Sequence, residues 1–329
     1  TFQQYLIKNI LRNKGEIFLI DKKNCHTEKF LKKKEKKNIK ICYCNAIYEP
    51  KKVNNYLNLI RKKTPKNEII FIFSNPLLLI LYIFFIKIKF DNSKFYSFMH
   101  SHILKLSFSQ ILIGFLSSLI SLFINKVYFV SKFTRNWWFK YFFIYKFTNY
   151  KICHNSIQLP KMSKGRLKAN KVGFVGRLEK EKGIHFFLEI EKYMRGSEFS
   201  FKIFGEGSFE RKIAKDKNIN LNKWTSQKII YKAIDILLVT SPVENCPYTV
   251  LEAKSYGIPT LSISRGGIKE ILKNNNDGII LKENSDYEKI SKALLYIKKN
   301  IKRFSKNCIK NRINFKDKIN FLALLKDMQ

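Results

Sequence analysis

Two carboxylates, Glu244 and Glu252, sit in the run SPVENCPYTVLEAKSYGIP, directly after an apolar stretch. The stretch DILLVTS, 235–241, reads as a strand, and a helix is predicted to open about Pro247, where a proline is tolerated in the first turn. Asn245 is placed to cap its amides, and Gly257 followed by Pro259 closes it. The unpaired N–H groups and positive dipole end of such a helix suit a phosphate. Glu244 flanks that spot. Helical side chains lean toward the N-terminus, so Glu252, one turn below Tyr248, points to the same mouth. A nest of this kind would take a nucleoside diphosphate sugar, with amides on the diphosphate and carboxylates accepting hydrogen bonds from sugar and ribose hydroxyls. A capped surface helix is the plainer reading of this spacing alone.

The elements that must position these residues alternate. From about residue 171, short β-branched or aromatic runs (VGFVG, SFKIFG, DILLVTS, PTLSIS, DGIILK) are separated by amphipathic segments. This pattern predicts a parallel sheet with helices on both faces. Arg177 follows the first run, Gly205 and Gly207 the second, Glu244 the third, and Gly266 and Gly267 the fourth. Ligands of open α/β sheets bind outside the carboxyl ends of the strands, so these loops are expected to share one crevice. Arg177 and Lys182 would bring a planar fork and a point charge to a departing diphosphate. Arginine is scarce in the chain, whereas Lys182 stands against a background of many lysines. The IFGEG turn lacks the third glycine of a dinucleotide fingerprint. Walker-type lysine loops, zinc spacings and nucleophile elbows are absent from the sequence.

Taken together, GRLEKEKG, IFGEG, SPVENCPYTVLEA with both glutamates, and GGIKEIL followed by NDGII resemble the donor domain of retaining glycosyltransferases of the GT-B fold, family 4, the glycosyl transferases group 1. The resemblance implies that Arg177 and Lys182 grip the donor diphosphate. It further implies that Glu244 contacts the donor sugar, that Glu252 contacts the nucleotide ribose, and that the amides of Tyr248 and Thr249 complete the phosphate site. Gly205 and Gly207 fall in the same donor-binding set. No separate cofactor is implied, the nucleotide sugar being the donor substrate, and a UDP-sugar is expected over a GDP-sugar.

The N-terminal half agrees. Strand-like runs recur at EIFLID, IKICYC, EIIFIFS, KFYSFMH and KVYFVS, which predicts a second Rossmann-like domain. The fold class expected is thus α/β, two Rossmann-like domains facing across a cleft. The similarity continues through FYSFMHSH, KVYFVSKFTRNWW and KICHNSIQLP, and implies a place near sugar and acceptor for His100, which ends a strand; His102 is the neighbouring alternative, and a packing role is the plainer reading. The chain opens on TFQQYLIKNILRNKGEIFLID, a helix leading to what corresponds to a second strand, without the family's first strand and glycine-rich loop. A truncated start is expected, and with it a fragment that binds nucleotide better than it catalyses. The expected domains are 1–165 for the acceptor, 166–310 for the donor, and a C-terminal helix, 311–329, returning to the first domain.

Lys and Arg outnumber Asp and Glu 63 to 25, a net charge of +38 over 329 residues, a balance suited to nucleic acid or an anionic membrane. Lys, Asn, Ile and Phe are all encoded by A/T-rich codons, so part of the excess reads as compositional. The basic cluster Lys32–Lys37 reads as a solvated face with a secondary capacity for anionic lipid. The apolar runs 77–86 and 111–124 fall short of the ~20 residues that span a bilayer; buried helices are the default expectation, and monotopic attachment is favoured over a span. Six cysteines lack metal or disulfide spacing and no signal peptide is visible, which points to a cytoplasmic location, peripheral on the inner face of the plasma membrane. No Asp-X-Asp occurs, so a metal-independent reaction is expected, with Arg177, Lys182 and helix amides stabilising the leaving group. The expected reaction is sugar transfer with retention to a glycan or lipid-linked acceptor of surface polysaccharide or lipopolysaccharide. A same-fold epimerase or phosphorylase, and a basic nucleic-acid-binding protein, are the competing readings.

Overall fold

Two parallel sheets carry the fold, one in each of the two compact units of the computed structural model: Thr1–His154 with Lys318–Gln329, and Asn155–Asp317. The structure describes residues 17–19, 58, 70–73, 94–100, 107–160, 165–216, 219–316 and 327. The expected strand at IKICYC, the apolar run 77–86, the cluster Lys32–Lys37 and His102 lie outside the described residues.

In the first unit, β1 (Ile17–Leu19), β2 (Ile70–Phe73), β3 (Lys94–Met99), β4 (Lys126–Phe129) and β5 (Tyr150–Ile152) pair in chain order, every pair parallel. Parallel strands are covered on both faces, and β3 and β4 accordingly bury consecutive residues, Phe95 to Met99 and Val127 to Phe129. Between them lies α1 (Phe108–Ile120), opened by a capping box in which Ser107 and Gln110 satisfy each other's backbone N–H. After β4 comes α2 (Lys132–Tyr141), capped by Ser131 Oγ accepting from the Thr134 amide at 3.1 Å. The run 111–124 is not the buried helix that its composition suggests. The side of α1 turned inward is Gly114, Ser117, Ser118 and Ile120, because Phe142 stands so close that a Cβ on Gly114 would lie 2.1 Å from its ring. Among the described residues no helix is long and apolar enough to cross a membrane. Asp327 ties the C-terminal segment to this sheet through Lys126 at 2.9 Å, Lys151 at 3.0 Å and the Tyr128 hydroxyl at 2.7 Å. These three partners hold its carboxyl down at about 2.

The second unit contains β6 (Lys171–Val175), α3 (Ile184–Tyr193), β7 (Ser200–Phe204), α4 (Glu210–Ile213), β8 (Asn220–Asn222), α5 (Gln227–Ala233), β9 (Ile236–Val239), β10 (Val243–Glu244), α6 (Tyr248–Ser255), β11 (Thr260–Ser262), β12 (Arg265–Gly266), α7 (Ile268–Ile271), β13 (Gly278–Ile280), α8 (Tyr287–Lys299) and α9 (Ile301–Asn311). Its sheet runs β13-β11-β9-β6-β7-β8, all parallel. The chain builds outward from β6 to β8, then returns to the other side of β6 to lay down β9, β11 and β13. The order therefore reverses between β6 and β9, the doubly wound pattern. Val172, Phe174, Ile203, Ile236 and Leu238 from the strands meet Ile184, Phe187, Leu294 and Phe304 from the helices in one core.

One charged pair is sealed in this unit. Lys254 on α6 meets Asp277 at 3.0 Å, both side chains at most 2% exposed. Lys254 also donates to the Ile271 carbonyl and lies over the Phe315 ring, while Asp277 accepts from the Lys273 amide and Asn311, each at 2.8 Å. Every polar atom of the pair is occupied, which is what makes burial of two charges tolerable. Asp277→Ala, which strands the lysine, is expected to lower unfolding free energy by about 3–5 kcal/mol in urea titration, and Lys254→Met with Asp277→Asn to recover most of it. Equal losses for single and double variants would contradict the pairing.

Candidate functional site

At the reversal point the loops after β6 and β9 touch. Thr240 Oγ1 donates to the Gly183 carbonyl at 2.8 Å, and a Cβ on Gly183 would lie 2.1 Å from the Thr240 carbonyl oxygen. Gly183 also has φ +71°, a left-handed conformation that glycine adopts without cost, so only glycine fits. The contact places Lys182, immediately before it, beside the loop after β9. Lys182 Nζ meets Glu244 Oε1 at 2.8 Å, and Ser241 Oγ donates to the same oxygen at 2.8 Å. The Glu244 carboxylate keeps an 11% exposed edge. Its backbone is fixed as well: β10 pairs with β12, and the Gly267 amide donates to the Glu244 carbonyl at 2.8 Å.

The loops after β6 and β7 are joined in the same way. Gly176 donates to Phe204 and Leu178 to Glu206, both at 3.0 Å. A Cβ on Gly205 would meet the Gly176 carbonyl at 1.9 Å, and one on Gly207 would lie 2.8 Å from the Leu178 nitrogen. Glu179 then accepts from the Ser208 amide and hydroxyl, which hold its carboxyl below the usual range. Arg177 stands off, 65% exposed, paired at 3.0 Å with Glu181.

Helix α6 begins at Tyr248 behind Pro247, and no side chain caps it. The expected Asn245 cap is not formed, because the cap position is occupied by Pro247, which has no side-chain acceptor. The first-turn amides, those of Tyr248 and Thr249, face out of the open end of the helix. One turn on, Glu252 is held from the side by Gln227 Nε2 at 2.6 Å and the Tyr231 hydroxyl at 2.8 Å. Burial raises its carboxyl above the ordinary value and pushes the Tyr231 phenol far up. Cys246 is also committed: its carbonyl accepts from Asn155 Nδ2 at 2.6 Å and its sulfur from the Asn155 amide at 3.3 Å.

Of the residues singled out by sequence, Lys182 and Glu244 are in direct contact, Gly205 and Gly207 lock the loop beneath Leu178, and Glu252 sits on the same helix as Tyr248 and Thr249. Arg177 contacts neither acid; its partner is Glu181. Sequence reading missed Ser241, Gln227 and Tyr231. The last two lie on α5, a helix distant in sequence from the glutamate they hold, and nothing in the local pattern marks them. His100 belongs to the first unit, at the end of β3, with its ring stacked on Phe98 at 6.1 Å. Its burial pushes the imidazole down to about 4, so the ring is neutral at neutral pH. Among the described residues no cluster of three His, Cys, Asp or Glu is disposed to hold a metal.

Comparison with known proteins identifies the fold that this sheet order defines. The fold is that of solved GT-B glycosyltransferases, with two Rossmann-like domains. Anabaena HepE, crystallised in complex with UDP, aligns with a TM-score of 0.79 at 11% identity over 99% of this chain and 94% of its own. A glycosyltransferase from Rickettsia africae aligns with a TM-score of 0.74 at 17% identity over 99% and 93%. Residues 158–315 match the family described as Glycosyl transferases group 1. The Escherichia coli UDP-Gal:alpha-D-GlcNAc-diphosphoundecaprenol alpha-1,3-galactosyltransferase is 28% identical over 193 residues, 51% of this chain and 50% of that enzyme. The chain spans half or less of the length of the curated relatives it matches.

Because His100 is neutral in the fold at a pH where a free imidazole, near 6.5, takes up a proton, the unfolded state binds the proton first on acidification. The stability gained by keeping it neutral is complete above about pH 6.5 and is lost as pH falls toward 4. Urea midpoints between pH 7 and 5 are expected to fall more steeply for the wild type than for His100→Phe; parallel slopes would contradict the assignment.

Proposed function

We propose that the chain is a retaining glycosyltransferase that moves a sugar from a nucleotide-diphosphate sugar, a UDP-sugar before a GDP-sugar, to a hydroxyl of a lipid-linked or surface-polysaccharide or lipopolysaccharide acceptor. The observation that carries this reading is the Lys182–Glu244 contact at the reversal of a doubly wound sheet, beside the uncapped first turn of α6. A pairing this close keeps a cation at the crevice without leaving it bare. An arriving diphosphate would take over Lys182 and the amides of Tyr248 and Thr249, with Arg177 able to swing from its exposed contact with Glu181. Glu244, released from the lysine, would accept hydrogen bonds from the donor sugar. Glu252 is prepared for the ribose hydroxyls, two donors already defining where its oxygens point.

In the proposed reaction the bond from the anomeric carbon to the diphosphate oxygen breaks as the acceptor oxygen bonds to the same face. The acceptor proton passes to the departing diphosphate. Lys182, Arg177 and the helix amides offset the charge that develops there, so the step needs no resident metal. His100, at the end of β3 in the first unit, would act as a neutral hydrogen-bonding group and not as a charge. The names of the relatives favour this donor and acceptor: one is solved with UDP and another acts on a diphosphoundecaprenol-linked sugar. The partners of this reading are the nucleotide sugar, the lipid-linked or glycan acceptor, and an anionic membrane surface on the cytoplasmic side.

Thermal-shift titration with UDP, GDP and a short DNA duplex tests it. UDP is expected to stabilise the protein, and Arg177→Ala and Glu252→Gln each to weaken that response by about tenfold in apparent affinity, about 1.4 kcal/mol. Salt-sensitive stabilisation by DNA alone, indifferent to both substitutions, would overturn the reading in favour of a nucleic-acid-binding protein.

A further inference from the structure

The helix α1 is built inside out. Apart from Ile120, its inward side is small and polar, with Gly114 against the Phe142 ring, Ser117 Oγ bonded to the Tyr145 hydroxyl at 2.9 Å, and Ser118 returning its hydroxyl to the Phe115 carbonyl at 2.6 Å. Its outward side is large and apolar. Phe108, Leu112, Phe115 and Leu119, continued by Phe123 in the 3-10 turn Ser121–Phe123 that follows, recur at helical spacing and are each more than a third exposed, Phe108 reaching 84%. The 3-10 turn Phe143–Phe147, which supplies Tyr145, presents two further exposed rings, Phe143 and Phe147, with Lys146 between them. Isolated exposed apolar residues need no explanation, but a continuous stripe marks an interface. An ordinary surface helix would put this stripe in the core and the serines in water.

Charge decides what the stripe meets. From residue 92 to 154 the sequence holds eight Lys or Arg and no Asp or Glu. Asp327 neutralises two of them, Lys126 and Lys151, and the rest of the segment stays cationic. A second copy of the chain would bring this acid-free surface against itself, a like-charge contact. An anionic lipid surface satisfies both features at once, taking the apolar stripe at its acyl boundary and the lysines over its head groups. Spanning is excluded by length, since the 13 residues of α1 extend about 20 Å against a hydrocarbon core of about 30 Å.

We propose that α1 lies in the plane of an anionic lipid bilayer, its Phe108–Phe123 side sunk at the acyl boundary, and so holds the first unit on the membrane. This rests on the transferase reading only for the presence of a membrane; the surface of the first unit supports the rest. The test is co-sedimentation of the purified chain with vesicles of phosphatidylcholine alone or mixed with phosphatidylglycerol, with UDP thermal shift and light scattering run in parallel. The wild type is expected to partition onto the phosphatidylglycerol vesicles, weakened but not abolished by salt. The triple variant Leu112→Gln, Phe115→Gln and Leu119→Gln, all outward, is expected to lose at least about tenfold of that partitioning while its UDP response is unchanged. Absence of wild-type partitioning, equal partitioning of the variant, or binding that salt abolishes completely would overturn the proposal, as would a wild-type dimer that the variant dissolves. A wild type that binds vesicles but not UDP would instead count against the donor site alone.

Discussion

The Lys182–Glu244 pair of the second unit depends on one close approach, that of Gly183 to the Thr240 carbonyl where β6 and β9 part. A side chain there would drive the two loops apart, and with them Lys182 and Glu244, which meet only because those loops meet. The sheet order makes the site possible, since the reversal leaves a gap above two adjacent strand ends that no crossover covers. The glycine makes it narrow. Gly205 against Gly176 repeats the device one strand further along, so three successive loops are held by backbone contacts and only the side chains remain to be varied.

The helix α6 is held on two sides by polar contacts of opposite kinds. Gln227 and Tyr231 grip Glu252 on one side; Asp277 and the Ile271 carbonyl grip Lys254 on another. Both sets leave almost no rotational freedom. A carboxylate raised in pKa by burial but aimed by two donors is prepared to exchange one hydrogen bond for another, which is what binding a hydroxyl requires. The ion pair has no such opening, and its work is to fix the pitch of the helix that carries the glutamate.

Much of this was legible in the sequence, for a physical reason. Strands buried on both faces are continuous apolar runs, so VGFVG, SFKIFG, DILLVTS, PTLSIS and DGIILK each correspond to a strand of the sheet. The edge strand β8, Asn-Leu-Asn, is too polar to declare itself, and β10 and β12 are two residues each, set by loop packing alone. Neighbours along the chain, such as Pro247 with Tyr248, could be reasoned about locally; Tyr231 with Glu252, or Lys254 with Asp277, could not, because tertiary packing brings them together. The helix α1 shows the opposite failure. Its composition reads as core, and it takes the Phe142 ring against Gly114 and the Ser117–Tyr145 bond to show which side is buried.

In the proposed reaction Lys182, held by Glu244 in the structure, would be taken over by the donor diphosphate. The most direct test is the calorimetric Kd of UDP for the wild type, Lys182→Ala and Glu244→Gln. The expected result is at least about tenfold weaker binding for Lys182→Ala and binding no weaker than wild type for Glu244→Gln, since neutralising the glutamate frees the lysine. Unchanged UDP affinity in Lys182→Ala would contradict a diphosphate site at the sheet reversal.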